Sequence, residues 1–205
     1  KVTLKDPGLP EHLRVPSGWP ENMRREWGDD EGASHGREHR DETITEMRKV
    51  RKILDDFEPD FVVIWGDDQY ENFREDVVPA FCVMGYDAIE YSPWAKRGVA
   101  NYWDEPADKT FTLQGHRAGA KYLATGLLEQ SFDIAYSYKP LHDPVGHAIS
   151  NGLLYLDWDR RGFDYPVVPI TVNCFGRQLI LRKGHLANMA EPPGKDDFDP
   201  PSPSP

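Results

Sequence analysis

The sequence predicts an α/β fold, a single domain with a central, mostly parallel or mixed sheet and helices on both faces. Two observations support this prediction. Short apolar runs suited to strands alternate with helical segments of ten or more residues, a pattern typical of sheets whose strands are connected by helices. The 205 residues, 39% of them hydrophobic, also suffice for one domain with a sizeable core, because longer chains bury a larger share of their surface.

Residues 1–30 are expected to form an ordered loop region with room for one short helix, and the longer helices and the strands begin at residue 38. Helices are expected at three segments: 38–57, 115–131 and 148–159. Strands are expected at four short apolar runs: 61–66, 77–85, 132–138 and 167–174. The first of these strands is apolar throughout, so it is expected to be buried on both faces. Residues 86–108 are rich in aromatic and turn-forming residues and are expected to form a long surface excursion.

The two end segments, 1–37 and 177–205, have the composition of loops. Proline, glycine and charged residues dominate the first, and the second finishes in the proline and serine stretch PPSPSP. The chain also begins at Lys1 without a methionine. We therefore expect one domain over residues 1–205 that is incomplete at both ends, unless these ends are natural.

The charge balance excludes some classes of partner. The net charge is −11, from 24 basic and 35 acidic residues, whereas nucleic acids and anionic membranes require a basic face. No apolar run reaches the length of a membrane span, and no signal peptide opens the sequence. Cys82 and Cys174 lie in apolar contexts, so both are expected to be buried thiols in a cytoplasmic protein.

Three polar sets lie at or beside the predicted strand ends: Asp67-Asp68-Gln69, His116, and the loop from His142 to His147. Loops at the strand ends of an α/β sheet form the crevice in which ligands usually bind. If the sheet is parallel, the three sets can converge on one edge. Imidazole exchanges protons near neutral pH, so such a crevice would suit acid–base chemistry or metal binding.

Structural roles are open for the same residues. Asp67 and Asp68 can cap a following helical turn, and His116, at a helix start, can be a capping or solvated residue. The sequence contains no HExxH or CxxC motif, no phosphate-binding loop, no GxGxxG and no GxSxG. The residue types alone therefore leave catalytic, metal-binding and structural roles open.

Five blocks in a fixed order carry a resemblance to a known family: PDFVVIWGDDQYENF, VVPAFCV, GHRAGAKYLATGLLE, FDIAYSYKPLHDPVGHAISNGLLYLD and YPVVPITVNCFG. The similarity covers roughly residues 38–176. Over this range the chain resembles the class III extradiol ring-cleavage dioxygenases, the relatives of the catalytic beta subunit of protocatechuate 4,5-dioxygenase. The blocks are specific to the superfamily and do not indicate a particular substrate.

The resemblance implies a non-haem Fe(II) enzyme that binds a catecholic substrate and O2 and opens the aromatic ring. In the family, two histidines and a glutamate hold the iron and leave positions open for substrate and oxygen. His147, in VGHA, matches the family's acid–base histidine, and His116, in GHRAG, matches the histidine that hydrogen-bonds the substrate. Four further residues are expected to line the active site: Asp67, Asp68, Gln69 and His142.

One position departs from the family pattern. Gln69 stands where the family has an iron-binding histidine, and a neutral amide is a poor ligand for Fe(II). The segments that carry the other two family ligands are not recognisable, so the metal ligands stay unassigned. The resemblance also implies a homodimer or a small partner subunit.

Hypotheses of different classes therefore remain. The first is an active extradiol-type dioxygenase. The second, motivated by Gln69, is a non-catalytic dioxygenase-like subunit or binding module that has lost the metal site. A third is a metal-dependent hydrolase or lyase that uses Asp67 and Asp68 with the histidines.

Overall fold

A computed structural model of the chain describes residues 8–74, 76–95 and 101–174. Its helices are α1 (Glu21–Trp27), α2 (Ala33–Phe57), α3 (Arg117–Glu129) and α4 (His147–Leu156). Its strands are β1 (Val62–Asp68), β2 (Phe81–Met84), β3 (Ala88–Tyr91), β4 (Phe111–Gln114), β5 (Ala135–Ser137) and β6 (Val167–Asn173). The predicted α/β class is confirmed. The chain divides into two compact units, Lys1–Ile53 and Leu54–Pro205.

The first unit is mostly helical where the structure describes it. It contains two short 3-10 turns, Glu11–Arg14 and Pro16–Gly18, followed by α1 and most of α2. The indole of Trp19 donates a hydrogen bond to the carbonyl of Leu13 (2.6 Å) and packs edge-on against Trp27, with ring centroids 5.1 Å apart. These contacts order a segment that the sequence predicts to be loop-rich.

Helix α2 begins five residues before the predicted start at 38. The side chain of Asp30 accepts hydrogen bonds from the backbone N–H groups of Ala33 (3.1 Å) and Ser34 (2.8 Å). Such an acceptor satisfies N–H groups that a helix leaves unpaired in its first turn. Of the two segments expected to be loop-rich, 1–37 is thus partly helical, and 177–205 lies outside the described residues.

The central sheet lies in the second unit and has the strand order β1–β6–β2–β5. Strand β1 is parallel to β6, and β2 is parallel to β5. The pair β2 and β6 is antiparallel, so the sheet is mixed, as one of the two predicted forms allowed. The carboxyl ends of β2 and β5 therefore point in the direction opposite to that of β1, and they lie at the other end of the sheet along the strands.

Helix α3 covers one face of this sheet. Its small residues Ala120 and Ala124 are buried against Val83, Val168 and Ile170. The predicted helix is confirmed, but its predicted apolar face is partly wrong, since Tyr122 is 84% exposed.

Helix α4 covers the other face. Val167, next to Val168 on β6, points away from α3 because successive side chains of a strand alternate between the two faces. It packs with Ile149 and Leu153 of α4. On β1, Gly66 lets the helix approach closely, because a Cβ there would lie 2.8 Å from Cδ1 of Ile149. This packing places the first turn of α4 directly against β1.

The predicted surface excursion over 86–108 is wrong in part. Strand β3 lies within it and pairs with β4 as an antiparallel two-stranded sheet. Ile89 and Tyr91 alternate with exposed residues along β3 and are buried, as is Leu113 of β4. Tyr91 and Leu113 pack in the same cluster as α4, so this segment contributes to the core.

Two further expectations need correction. Strand β1 is not buried on both faces, because Val63 and Trp65 are 41% and 63% exposed; β1 is an edge strand of the four-stranded sheet, and α3 packs on β2 and β6 instead. Cys82 is buried as expected, but Cys174 is exposed, and neither forms a disulfide. Among the described residues, no helix is both long enough and apolar enough to cross a membrane.

Candidate functional site

Polar side chains gather where β1 ends. Asp67 and Asp68 are the last two residues of the strand, and their side chains point in opposite directions because strand residues alternate. Asp68 is fully buried (0% exposed), whereas the side chain of Asp67 is one-third exposed (33%). The two adjacent carboxylates therefore have different surroundings.

Asp68 organises the turn that follows the strand. Its carboxylate accepts hydrogen bonds from the backbone N–H groups of Glu71 (3.1 Å), Asn72 (2.8 Å) and Phe73 (3.4 Å). Phe73 is itself buried in the core. The capping role that the sequence left open for this pair of carboxylates thus falls to Asp68.

The loop after β5 reaches the same place by a longer route. Strand β5 ends at the opposite edge of the sheet, and residues 138–146 lead back to the end of β1. There the N–H of Asp143 donates to the carbonyl of Glu71 (3.3 Å), and the amide of Asn72 donates to the carbonyl of Asp143. Helix α4 then starts at His147, beside Asp67.

His147 lies between two carboxylates. Its Nδ1 is 2.8 Å from Oε2 of Glu71, and its Nε2 is 3.7 Å from Oδ1 of Asp67. The hydrogen bond with Glu71 is the main reason that the pKa of His147 is raised above 6.5; partial burial opposes it, and the charges of Glu71, Asp67 and Asp68 add to the increase. The imidazole remains 44% exposed, so a ligand from solvent can reach it.

Gln69 is exposed at the rim of this cluster. Its Nε2 donates to Oδ2 of Asp67 at 2.6 Å, and its backbone N–H faces Oε2 of Glu71 at 3.5 Å. The amide thus holds the Asp67 carboxylate. The structure brings four polar side chains together here: Asp67, Gln69, Glu71 and His147.

His142 lies in the same loop but has its own partner. Its Nε2 is 3.0 Å and 3.1 Å from the two carboxylate oxygens of Asp76. Desolvation raises the pKa of Asp76, but the hydrogen bond and charge of His142, together with backbone hydrogen bonds, outweigh it and leave that pKa lowered. His142 and Asp76 form a separate pair, and no contact joins them directly to His147 among the described interactions.

His116 lies at the other edge of the sheet. Its backbone N–H donates to the carbonyl of Val167 (3.1 Å), and Val167 is level with Val62 at the start of β1. Five residues of strand separate that level from Asp67, a distance of roughly 16 Å. The structure therefore does not bring His116 to the cluster around His147.

The side chain of His116 has a structural use at its own position. Nδ1 accepts a hydrogen bond from the backbone N–H of Gly119 (3.0 Å) and caps α3. The ring also stacks on Phe61, with centroids 4.5 Å apart and planes 12° apart. This is the capping alternative that the sequence left open.

Sequence reasoning missed Glu71. It touches His147 at both carboxylate oxygens and is separated from it by 76 positions in the chain. No spacing or motif marks a glutamate at such a distance as a partner. Its only sequence signal is its place two residues after the cluster Asp67-Asp68-Gln69.

The described residues do not by themselves form the iron site that the resemblance implies. In the part of the chain that the structure describes, no group of three or more His, Cys, Asp or Glu side chains could hold a metal ion. At the end of β1, Nδ1 of His147 faces Glu71, and Gln69 contributes an amide that is bonded to Asp67. A facial iron site requires two imidazoles and a carboxylate that converge.

Comparisons with known proteins point to one group of enzymes. The chain is 31% identical over 142 residues to a 2,3-dihydroxyphenylpropionate/2,3-dihydroxicinnamic acid 1,2-dioxygenase of Comamonas testosteroni, covering 69% of this chain and 39% of that protein. It is 30% identical over 140 residues to dioxygenase 2 of the same name from Pseudomonas putida, covering 68% and 38%. A third such protein, from Dechloromonas aromatica, is 30% identical over 145 residues, covering 70% and 40%.

The alignments are partial on both sides. The chain spans about two fifths of the length of these curated relatives. A scan against models of protein families finds no match. The relationship nevertheless agrees with the resemblance read from the five sequence blocks, and the chain is related to the class III extradiol ring-cleavage dioxygenases.

Proposed function

We propose that this chain takes part in opening the ring of a catecholic substrate with O2, as an extradiol-type dioxygenase, and that His147 is its acid–base residue. The observation that carries the proposal is the position of His147 at the carboxyl end of β1, exposed between Asp67 and Glu71. The relatives are named for 2,3-dihydroxyphenylpropionate and 2,3-dihydroxicinnamic acid, so these two catechols are the first substrates to test.

The surroundings of His147 suit proton exchange with a catechol hydroxyl. A general base or acid works best when its pKa is near the operating pH. The hydrogen bond with Glu71 raises the pKa of His147 above 6.5, which brings this pKa closer to neutral pH. Nε2 is 3.7 Å from Asp67, too far for a direct hydrogen bond, so it can pair with a substrate oxygen.

An oxygen electrode provides the direct test. The chain is incubated with Fe(II) without air and then given 2,3-dihydroxyphenylpropionate and oxygen. We expect oxygen uptake together with the absorbance of a ring-opened product. His147→Ala should lower the rate by about 10²- to 10⁴-fold, the usual contribution of a positioned acid–base group. His12→Ala, at an exposed position of the first unit, is the control and should leave the rate unchanged.

Two outcomes would contradict the proposal. One is the absence of oxygen uptake with both catechols, although circular dichroism shows a folded chain. The other is ring cleavage at an undiminished rate in a folded His147→Ala variant.

A second candidate function is a dioxygenase-like subunit or binding module that has lost the metal site. It is favoured by Gln69, whose amide is engaged with Asp67, and by the lack of a metal-ligand cluster among the described residues. This candidate predicts that a catechol binds to the metal-free chain under argon in a calorimeter, with no oxygen uptake when air and Fe(II) are added.

Several other expectations stay predictions. They are the Fe(II) cofactor, a homodimer or small partner subunit, a cytoplasmic location, and roles in the active site for His116, Asp68 and His142. The hydrolase or lyase hypothesis loses support, because Asp68 is fully buried and its oxygens accept three backbone N–H groups.

A further inference from the structure

Glu71 holds His147 at two points. Its Oε1 accepts the backbone N–H of His147 at 2.7 Å, and its Oε2 is 2.8 Å from Nδ1 of the same residue. One contact fixes the first residue of α4, and the other fixes the rotation of the imidazole. The Glu71 side chain is only 14% exposed, so water competes weakly for these oxygens.

Glu71 is itself held firmly. Its backbone N–H is bound by the buried carboxylate of Asp68 (3.1 Å), and its carbonyl accepts from the N–H of Asp143 (3.3 Å). Gly146 leaves room for the side chain, because a Cβ there would come within 3.3 Å of Oε2 of Glu71. The carboxylate therefore sits in a place that the surrounding chain determines.

This contact decides which ring nitrogen carries the proton. An ionised carboxylate only accepts hydrogen bonds, and a neutral imidazole donates from one nitrogen and accepts at the other. Nδ1 of His147 must then donate to Glu71. Asp67 does not compete, since its Oδ1 is 3.7 Å from Nε2 and its Oδ2 is bound by Gln69.

We propose that Glu71 is the positioning residue of His147: it keeps the proton on Nδ1 and so leaves Nε2 as the atom that exchanges a proton with the substrate hydroxyl. The second half of this statement rests on the function proposed above. The first half concerns the chain alone, without metal or substrate. Histidines of catalytic sites are commonly oriented in this way by a carboxylate on the second nitrogen.

The test is a ¹⁵N–¹H spectrum of the histidine side chains at a pH where His147 is neutral. The His147 signals are assigned by their loss in His147→Gln. In the wild-type chain we expect the tautomer with the proton on Nδ1. Finding the proton on Nε2 would overturn the proposal, and this arm needs no variant of Glu71 and no enzymatic activity.

Glu71→Gln sharpens the test because an amide has one oxygen and one NH₂ group. Its oxygen can accept the backbone N–H of His147, which leaves the NH₂ facing Nδ1. We therefore expect the proton to move to Nε2. Glu129→Gln, at an exposed position of α3, is the matched control and should leave the His147 signals unchanged. An unchanged tautomer in a folded Glu71→Gln chain would also overturn the proposal.

Kinetics separate positioning from a merely structural role. If the chain cleaves catechols, Glu71→Gln should lower kcat by about 10- to 100-fold with little change in KM, and Glu71→Asp, too short for both contacts, should not restore it. A rise in KM of the same size with kcat unchanged would contradict the positioning role. If the wild-type chain is inactive, the proposed function fails, while the spectrum still decides whether Glu71 sets the tautomer.

Discussion

At the end of β1, neighbouring residues of the same type have different roles. Asp68 is buried and caps a turn, whereas Asp67 faces solvent, Gln69 and His147. The sequence predicted that this cluster would lie at a strand end but left capping and active-site roles open for both carboxylates. Alternation along a strand places the two carboxylates on opposite faces. Which of these faces is buried depends on where α4 packs, and the sequence around Asp67 and Asp68 does not specify that.

Glu71 shows the limit of sequence reasoning at this scale. A loop glutamate has no periodicity, and its partner His147 is 76 positions away. The sequence therefore predicted the polar residues at the end of β1 and His147 as members of the candidate site. The carboxylate that connects them required the tertiary structure.

Asp68 is expected to be the most sensitive polar residue of this turn. Asp68→Ala removes the acceptor of three backbone N–H groups in a buried place, and each hydrogen bond to a charged group is worth about 1.5–3 kcal/mol. Because the three bonds share one carboxylate, their contributions are not additive, and we expect the free energy of unfolding in urea to fall by at least about 3 kcal/mol. Asp133→Ala, at an exposed position, should change it by less than about 0.5 kcal/mol. Equal effects of the two substitutions would disprove the capping role.

The His147–Glu71 pair should make stability depend on pH. The pKa of His147 is raised above 6.5 in the folded chain, first by the hydrogen bond with Glu71. A raised pKa means that the folded state binds the proton more tightly than the unfolded state. The contribution is therefore fully present below 6.5 and is lost as the pH rises through the folded value.

Urea titrations of the wild-type chain and His147→Gln between about pH 5 and pH 9 measure this contribution. The difference in their free energies of unfolding should shrink as the pH rises. His12→Gln, at an exposed position of the first unit, is the control for removing a histidine outside the pair. A pH-independent difference for His147→Gln would show that the pair does not stabilise the fold.

At the scale of elements, the helices of the second unit were predicted within two residues at their starts. Strand β3 was missed: exposed Ala88 and Glu90 alternate with buried Ile89 and Tyr91 in the structure, but Ala88 and Ile89 are both apolar. Its four residues lie in a stretch rich in aromatic and turn residues, where alternation is too short to stand out. Burial of β1 was overestimated because apolar composition does not reveal whether a strand lies at an edge.

The packing of α4 on β1 gives a prediction at this scale. In Gly66→Ala the new Cβ would lie 2.8 Å from Cδ1 of Ile149 and 3.0 Å from Cβ of Ala148. We expect a loss of about 1–3 kcal/mol in the free energy of unfolding, as for other overpacked sites. Because α4 starts at His147, the His147 signals in the ¹⁵N–¹H spectrum should shift as well.

A double-mutant cycle tests the proposed contact. Ile149→Val removes the clashing Cδ1 and alone should cost about 0.5–1.5 kcal/mol. The double variant, Gly66→Ala with Ile149→Val, should lose less free energy of unfolding than the sum of the losses of the two single variants. Gly126→Ala is the control, since a Cβ there meets nothing within 4 Å, and should be neutral or stabilising. Strict additivity of the first pair would refute the contact.

At the scale of the whole molecule, the chain order of the four central strands and of helices α2, α3 and α4 was predicted, but the direction of the strands was not. A fully parallel sheet would have brought every loop after a strand to one edge. In the mixed sheet, β2 and β5 run against β1 and β6. His116 lies at the end of the sheet where β2 and β5 finish, whereas the loop after β5 leads back and places His147 where β1 finishes. Strand direction depends on how each connection crosses the sheet, and the connection lengths here allow both directions.

The two compact units predict uneven stability along the chain. In the first unit only Ile44 and Arg51 are buried among the described residues. In the second, the strands carry side chains that are at most 1% exposed: Cys82, Val83, Val167, Val168, Ile170 and Thr171. Local opening requires less free energy where few apolar groups are buried.

Hydrogen exchange followed by mass spectrometry measures this difference. We expect peptides from α1 and from the two 3-10 turns to exchange first, because none of these elements contains a buried residue. Peptides from β2 and β6 should exchange last, near the rate set by global unfolding. The comparison uses peptides of the same chain, so temperature and pH act on both alike. Equal protection of the two units would mean that the first unit is stabilised by contacts beyond its own core, and would contradict the prediction.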